Sequence, residues 1–238
     1  MLKRTAEIKL SQLFPAVFGS LGGIAGFPIR LHVRTDLHLA RKLWHASMGT
    51  LIASVYAFSG MSASLTVTIM ACFLGADLLI ETARLRIPAL NEKIMKNMGL
   101  FMRAHEVDRM STVAHFIAAS MLAVAIFPKP VALLSILFLA YGDPMASLFG
   151  ILYGKYSKRF ASGKSLIGTL AGIGTCFLIT FVYLKSQGQP DSTVFVLSLL
   201  GGLAGGMAEL APFDVDDNFT IPVVSGFVMW LAFMFFGV

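Results

Sequence analysis

A chain of 238 residues that is 56% hydrophobic and only 13% charged has too little polar surface to fold as a soluble globular protein. Its mean hydropathy of +0.77 instead predicts an all-α, polytopic membrane protein. The two cysteines lie in apolar segments, which predicts neither a disulfide framework nor a cysteine metal cluster. The net charge of +6 does not indicate nucleic-acid binding, because no soluble basic face with interleaved aromatic residues accompanies it.

The first 40 residues differ from the rest of the chain. Residues 1–10 are charged and amphipathic, and prolines and glycines interrupt the apolar run from Gln12 to Ile29. If that run crossed the membrane, the basic residues before it would lie outside, which the positive-inside rule disfavours. We therefore expect residues 1–40 to form an amphipathic or re-entrant segment at the cytoplasmic face.

Seven apolar segments follow, each near the ~20 residues that a helix needs to cross the hydrocarbon core. They cover about 43–60, 63–83, 110–127, 131–153, 165–184, 193–211 and 219–238. The sequence has no internal repeat and no low-complexity linker. We expect a single integral membrane domain over 1–238, with a helical core over 41–238.

Basic residues predict the orientation of these spans. Four lie in 30–42, six in 84–109 and four in 155–164, whereas only Lys129 and Lys185 lie in the opposite loops. The positive-inside rule therefore puts the three basic loops on the cytoplasmic side, together with the loop before the last span.

This orientation brings ionisable residues of different spans to one depth. Asp77, Asp143 and Glu209 each lie within about three turns of the cytoplasmic end of a span, and His45 lies one turn inside another. Ionisable groups at membrane depth are costly and usually mark a site. We expect a site of converging carboxylates and cations near the cytoplasmic surface.

The pair Asp143-Pro144 has the residue types of a helix N-cap followed by the first helical position. It predicts a helix broken at Tyr141-Gly142, whose second half exposes backbone N–H groups to an anion such as phosphate. A small-residue face for a close helix or ligand follows at Ala146, Gly150 and Gly154. A packing face with a polar kink is the alternative.

The run 162–165, Ser-Gly-Lys-Ser, is not a Walker A loop, because Lys158 stands where that motif needs glycine and no strand precedes it. It can still bind phosphate through a point charge and backbone donors, or simply form a basic loop. The candidate phosphate-binding residues here are Gly163, Lys164, Ser165 and Gly168.

An acidic segment precedes the last span. We expect this span to begin at Pro222. Together with Glu209 the acidic segment offers Asp214, Asp216 and Asp217, and we expect Lys164 to face Glu209 and Asp217. Carboxylates with substrate phosphates are the usual Mg²⁺ ligands, although a solvated acidic turn is an equal alternative.

Two further groups lie near the same face. Asp77, Glu81 and Arg84 have helical spacing and can pair with one another, either at a site or as an ion pair at the end of a span. The other group can clamp phosphate or form a basic flank of the membrane, and consists of Arg41, Lys42 and His45.

These motifs, in this order over about 40–222, resemble the polyprenol kinase family, which includes dolichol kinase, phytol kinase and the CTP-dependent diacylglycerol kinases of fungi. The matching residues are Arg41 to His45, Asp77 to Arg84, Gly142 to Gly150, Gly163 to Gly168, Glu209 and Asp216 to Pro222. The middle block is also similar to phosphatidate cytidylyltransferase, but the His-Gly-Gly signature of that enzyme is absent, which favours the kinase. A membrane transporter is the alternative from another class, yet the charges crowd one face and no repeat is found.

The resemblance implies a phosphotransferase that moves the γ-phosphoryl group of CTP to the hydroxyl of a membrane lipid alcohol, of polyprenol type or related, with Mg²⁺. It implies catalytic roles for Asp143, Arg41, Lys42, His45, Asp77 and Arg84. Phosphate binding falls to Gly142, Gly150, Gly163, Lys164, Ser165 and Gly168, and metal binding to Glu209, Asp216, Asp217 and Asp143. The expected partners are CTP, membrane lipids and the alcohol, whose identity stays open, as does the oligomeric state.

Overall fold

A computed structural model of the chain describes residues 39–99, 101–102, 106–160, 162–210 and 217–238. The predictions for the N-terminal segment, Asp214 and Asp216 lie outside these residues. The described residues form two compact units: the first unit comprises those up to Trp44 and those of Thr82–Met110, and the second unit comprises those of His45–Glu81 and Ser111–Val238. The single membrane domain stays a prediction.

The described residues are almost entirely helical, which confirms the all-α class. No strand forms among them, although one isolated β-bridge joins Arg159 and Ser165. The helices are α1 Leu39–Phe58, α2 Ala63–Arg86, α3 Pro88–Met98, α4 Thr112–Ile126, α5 Lys129–Leu137, α6 Asp143–Tyr153, α7 Leu166–Ser186, α8 Asp191–Ala208 and α9 Asp217–Phe236.

Within the part of the chain that the structure describes, five helical stretches are long and apolar enough to cross a membrane: α2, the stretch Lys129–Tyr156, α7, α8 and α9. Each of the seven predicted spans coincides with a helix. Of the other two, α4 is apolar but has only 15 residues, and α1 carries Arg41, Lys42 and His45 in its first two turns. A membrane crossing by all seven therefore stays a prediction.

The predicted helix break before Asp143 is wrong. A π-helical segment, Phe138–Gly142, joins α5 to α6, so the chain stays helical from Lys129 to Tyr156. Gly142 and Asp143 both have right-handed helical backbone angles, and Asp143 is not an N-cap. Pro144 lacks an N–H group and its ring would crowd the carbonyl four residues earlier, and the wider π turn accommodates both effects.

Glycines let the helices of the second unit approach closely. A Cβ atom at Gly206 of α8 would lie 2.5 Å from the backbone nitrogen of Ile173 in α7, and one at Gly202 would lie 2.8 Å from the Ile173 carbonyl oxygen. Only glycine permits such backbone contacts. Helix α9 packs against α8, α4 and α5 around a core that includes the fully buried Phe138.

Two helix starts position the residues of the candidate site. Ser165 caps α7, because its hydroxyl oxygen accepts a hydrogen bond of 3.1 Å from the Gly168 N–H. Helix α9 begins at Asp217, whose negative charge is favourable at the positive end of the helix dipole. Pro222 lies inside α9, so the expectation that it opens this helix is wrong.

Candidate functional site

Lys164 lies between two carboxylates that come from different helices. Its Nζ atom is 2.8 Å from Oε1 of Glu209 and 3.0 Å from Oδ2 of Asp217. Glu209 is the C-cap of α8, and Asp217 is the first residue of α9. The structure thus brings Lys164 to face Glu209 and Asp217 as expected, while their catalytic roles stay predictions.

Burial shields the contact between Lys164 and Glu209 from water more than an exposed ion pair is shielded, and it also disfavours the charged form of Glu209. The two side chains are only 14% and 12% exposed, whereas that of Asp217 is 39% exposed. Burial, followed by the nearby charge of Asp143, raises the pKa of Glu209 to about 7, although Lys164 acts in the opposite direction. Asp143 is therefore close enough to Glu209 to interact with its charge.

A tight hairpin carries Lys164 into this position. The Phe160 N–H donates to the Lys164 carbonyl at 2.8 Å, and the Gly163 N–H donates to the Phe160 carbonyl at 2.8 Å. Gly163 has a φ of +80°, in the left-handed region that favours glycine. Gly163 is thus needed for the turn itself, and its predicted phosphate binding stays a prediction.

Three other predicted phosphate-binding glycines lie at helix contacts. A Cβ at Gly168 would be 2.6 Å from the Ala146 carbonyl oxygen and 3.1 Å from the Cα of Gly150. A Cβ at Gly142 would be 2.6 Å from the sulfur of Cys176. The small-residue face of α6 therefore packs against α7, as expected for the packing face that was the alternative to a ligand-binding face. Ser165 is also buried between these helices.

The predicted metal ligands are only partly described. The described residues contain no cluster of three or more His, Cys, Asp or Glu side chains that could hold a metal ion. The two carboxylates around Lys164, with Asp143 beside Glu209, are the acidic part of the site within these residues. Asp216 lies outside them, and the metal site stays a prediction.

Two predicted cations lie in buried networks within the first unit. Arg41 donates from Nη1 to Oε1 of Glu106 at 3.0 Å and to the Phe101 carbonyl at 3.3 Å. Arg84 is fully buried and donates to the Asn91 side chain at 3.0 Å, to the Val107 carbonyl at 3.4 Å and to the Arg109 carbonyl at 2.7 Å. Within this unit, these contacts join Arg41 to Phe101 and Glu106, and Arg84 to Val107 and Arg109.

The remaining predicted residues have different surroundings. Lys42 is half-buried and belongs to the first unit, whereas His45 and Asp77 belong to the second. His45 is buried and packs edge-on against Phe116, with ring centroids 5.2 Å apart. Glu81, predicted to share a helix face with Asp77, accepts a hydrogen bond of 2.6 Å from the Ser111 N–H.

Sequence reasoning missed Glu106 and Asn91, which complete the networks of Arg41 and Arg84. Glu106 is 65 positions from its partner, so no local spacing connects the two residues. One signal was available, because a cation at the start of an apolar helix needs a carboxylate when it is buried. The segment 84–109 offers Glu92, Glu106 and Asp108, but Asp36, Asp77 and Glu81 are closer to Arg41 along the chain, so the sequence alone does not single out Glu106.

Comparison with known proteins identifies the class of protein. The chain is 32% identical over 213 residues to CTP-dependent diacylglycerol kinase 1 of Eremothecium gossypii, covering 82% of this chain and 67% of that protein. It is 28% identical over 213 residues to the Saccharomyces cerevisiae protein of the same name, covering 82% and 73%. It is 35% identical over 102 residues to phytol kinase of Synechocystis, covering 42% and 43%. No protein-family model and no solved structure matches the chain.

These relatives, together with the all-helical fold, define a lipid kinase of the membrane. The chain belongs to the polyprenol kinase family, a group of phosphotransferases that act on an alcohol.

Proposed function

We propose that this protein is a CTP-dependent lipid kinase that transfers the γ-phosphoryl group of CTP to the hydroxyl of a lipid alcohol in the membrane. The observation that carries the proposal is Lys164, held by Glu209 and Asp217 beside Asp143. Cations and carboxylates in this arrangement suit phosphoryl transfer, which needs positioning and charge neutralisation more than covalent chemistry by the protein.

In this proposal Lys164 binds the phosphates of CTP as a point charge. The oxygen of the lipid hydroxyl attacks the γ-phosphorus, and the bond from that phosphorus to the β–γ bridging oxygen breaks. CDP leaves, and the hydroxyl proton passes to the carboxylate of Asp143 acting as general base. The family resemblance also implies catalytic roles for Arg41, Lys42, Arg84, Asp77 and His45, and we propose these roles from the sequence motifs alone.

The carboxylates fit the Mg²⁺ ion that the family resemblance implies. Glu209 and Asp217 already hold one positive group, the Lys164 ammonium, at distances of 2.8 and 3.0 Å. Mg²⁺ is usually held by one or two carboxylates and by substrate phosphates. We propose Glu209, Asp216 and Asp217 as its ligands, with Asp143 as a further candidate. When bound, this ion neutralises charge on the phosphate oxygens.

The relatives guide the choice of alcohol. Two proteins named CTP-dependent diacylglycerol kinase match over 82% of the chain, and the phytol kinase matches over 42%. We therefore propose diacylglycerol as the first acceptor to test and a prenyl alcohol, such as phytol or a longer polyprenol, as the second. The site is proposed to open toward the cytoplasm, where soluble CTP is available.

Purified protein incubated with position-labelled CTP and a panel of lipids tests this function. The panel contains diacylglycerol, phytol, dolichol and phosphatidate, with and without Mg²⁺, and labelled ATP provides the comparison donor. We expect label from the γ position of CTP to enter an alcohol in the presence of Mg²⁺. Label entering lipid from the α position with phosphatidate would identify a cytidylyltransferase instead. Absence of transfer to every lipid would overturn both enzymatic assignments.

A further inference from the structure

We propose that Tyr141, held by Thr50, binds the hydroxyl group of the lipid alcohol by accepting a hydrogen bond from it. Both residues belong to the second unit, Tyr141 in the π-helical segment before α6 and Thr50 in α1. Neither is among the site residues that the sequence predicts. This inference deepens the proposed function and rests on it, because the bound alcohol is the proposed substrate.

Tyr141 is accessible within a helical stretch whose other side chains are largely covered. Of residues 129–152, all of which the structure describes, it is the one exposed residue, at 36%. The stretch Lys129–Tyr156 is long and apolar enough to cross a membrane, and Tyr141 lies near its middle. Leu51, which follows Thr50 in α1, is also exposed. The phenol is therefore accessible in apolar surroundings, where polar groups usually mark a substrate path.

Close packing brings Thr50 within reach of the phenol. A Cβ atom at Gly49 would overlap the Cβ of Ala140, the residue before Tyr141, so glycine is needed for α1 to approach the π-helical segment. The Tyr141 hydroxyl then lies 2.6 Å from Oγ1 of Thr50. Because this bond holds the ring in place, little side-chain freedom is lost when a ligand binds to the phenol. Segments of π-helix are themselves frequent at functional sites.

The hydrogen bonds of Thr50 determine where the proton of the Tyr141 hydroxyl points. Thr50 has one hydroxyl proton, and Oγ1 donates it at 2.6 Å to the Ala46 carbonyl, which can only accept. In the contact between the two hydroxyls, Tyr141 is therefore the donor and Thr50 the acceptor. The phenol oxygen keeps its lone pairs for a ligand, but it has no second proton to donate.

This polarity selects the chemical class of the ligand. The hydroxyl of a lipid alcohol donates a hydrogen bond, whereas ester and ether oxygens can only accept one. A lipid that carries a hydroxyl therefore gains a hydrogen bond from Tyr141, and a lipid without a donor does not. Because water is scarce in apolar surroundings, lost hydration offsets little of this gain.

Tyr141 and the proposed general base have separate tasks. Tyr141 precedes Asp143 by two residues, or about 3 Å along the helix axis, so the two lie at a similar depth. Side chains two positions apart in a helix do not share a face. We therefore assign Tyr141 to the capture of the alcohol from the bilayer, and not to removal of its proton.

Binding of dioleoylglycerol and of its O-methyl ether to the full-length protein tests the proposal. Both affinities are measured by native mass spectrometry in neutral detergent, without CTP. The ether keeps the acyl chains and lacks the hydroxyl proton, and the ratio of the two affinities does not depend on the fraction of folded protein. Y141F removes the phenol oxygen, T50V removes the acceptor of its proton, and T50S keeps that acceptor. The control Y183F changes a tyrosine of α7.

We expect the wild type to bind the alcohol about two- to tenfold more tightly than the ether, as one net hydrogen bond between neutral groups provides. Y141F should bring this ratio close to one. T50V should also lower it, because the released phenol proton can then be donated to the ether oxygen. T50S and Y183F should keep the wild-type ratio.

Three outcomes would overturn the proposal. The first is a wild-type ratio close to one, and the second is an unchanged ratio in Y141F or an equal loss in Y183F. The third is a ratio that Y141F keeps and D143N loses, which would assign the hydroxyl to the proposed general base. Binding is measured without turnover. A protein that phosphorylates no lipid, but whose ratio is lost in Y141F, would therefore refute the proposed function and leave this binding site supported.

Discussion

Substitution of Lys164 by glutamine tests the central contact of the site. The change keeps the approximate length of the side chain and removes its charge, which leaves Glu209 and Asp217 without the cation between them. A matched control is K158Q, which removes an exposed lysine from the same hairpin.

The burial of the two contacts sets the expected loss of stability. Removal of one partner from a fully buried ion pair costs about 3–5 kcal/mol. The contact with Asp217, whose side chain is 39% exposed, is screened by solvent and contributes about 1 kcal/mol or less. Because Lys164 and Glu209 are also slightly exposed, we expect a total loss of about 2 kcal/mol. In a chain of this size that lowers the Tm by roughly 4–8 °C.

Thermal unfolding in detergent, followed by intrinsic fluorescence, measures this difference, and the labelled-CTP assay measures activity in the same samples. We expect K164Q to lose at least about a hundredfold in activity, because a positioned charge on the phosphates contributes about 3 kcal/mol to transition-state stabilisation. K158Q should keep its Tm.

A double-mutant cycle with E209Q separates the ion pair from other effects of the substitution. If the contact exists, the double variant K164Q/E209Q should be more stable than the sum of the two single losses predicts. Equal Tm values for K164Q and K158Q, together with additive losses in the cycle, would refute the reasoning.

Three further predictions compare a substitution with a matched exposed control, namely D143N with D191N, R84K with R86K, and G168A with G174A. In the aspartate pair, only the first variant should lose activity, by about 10²–10⁴-fold at unchanged Tm, because it removes the proposed general base; normal turnover would exclude this role. In the arginine pair, only substitution of the buried residue should lower the Tm, by several degrees, since lysine cannot replace a guanidinium with at least three hydrogen-bond partners. In the glycine pair, the first methyl group would meet the Ala146 carbonyl oxygen at 2.6 Å, whereas the second meets nothing within 4 Å, so a Tm loss equivalent to about 1–3 kcal/mol is expected only for the first. A fourth prediction concerns pH. The pKa of Glu209 in the folded protein is raised from 4.5 to about 7, so protonated Glu209 favours the folded state. This contribution to the free energy of unfolding is full below pH 4.5 and is lost as the pH rises through about 7. In Mg²⁺-free buffer the wild-type Tm should therefore fall more steeply than that of E209Q between about pH 5 and about pH 8, and parallel curves would contradict the shift.

Helix positions followed closely from the sequence, whereas the local form of one helix did not. Apolar segments of about 20 residues are long enough to report helices directly, and all seven coincide with helices. The pair Asp143-Pro144 predicted a break, because local rules treat proline as the first residue of a helix. Packing of this stretch in the core kept it helical through a π segment instead.

The glycines of the candidate site show the same limit of local reasoning. Their spacing on α6 and α7 allowed either close helix packing or contact with a phosphate group. The distances at Gly168 belong to a helix contact, because a Cβ there would lie 2.6 Å from the Ala146 carbonyl oxygen, while phosphate binding by these glycines stays a prediction. The spacing of small residues predicts a helix face without large side chains, but only the tertiary structure shows whether a helix or a ligand contacts that face.

By itself the sequence determined that this is a helical membrane protein and which seven apolar segments are helical, whereas α3 lies in a segment that was predicted only as a cytoplasmic loop. The sequence also predicted that Lys164 faces Glu209 and Asp217, and the structure shows both contacts. Hydropathy and charge asymmetry are sums over many residues, so they can be evaluated from the sequence without knowledge of any single contact. The tertiary structure alone decided that Arg41 pairs with Glu106 and that Arg84 is enclosed by carbonyl groups. A buried cation takes whichever partner the fold brings to it, and residues far apart in sequence become neighbours only when the helices pack.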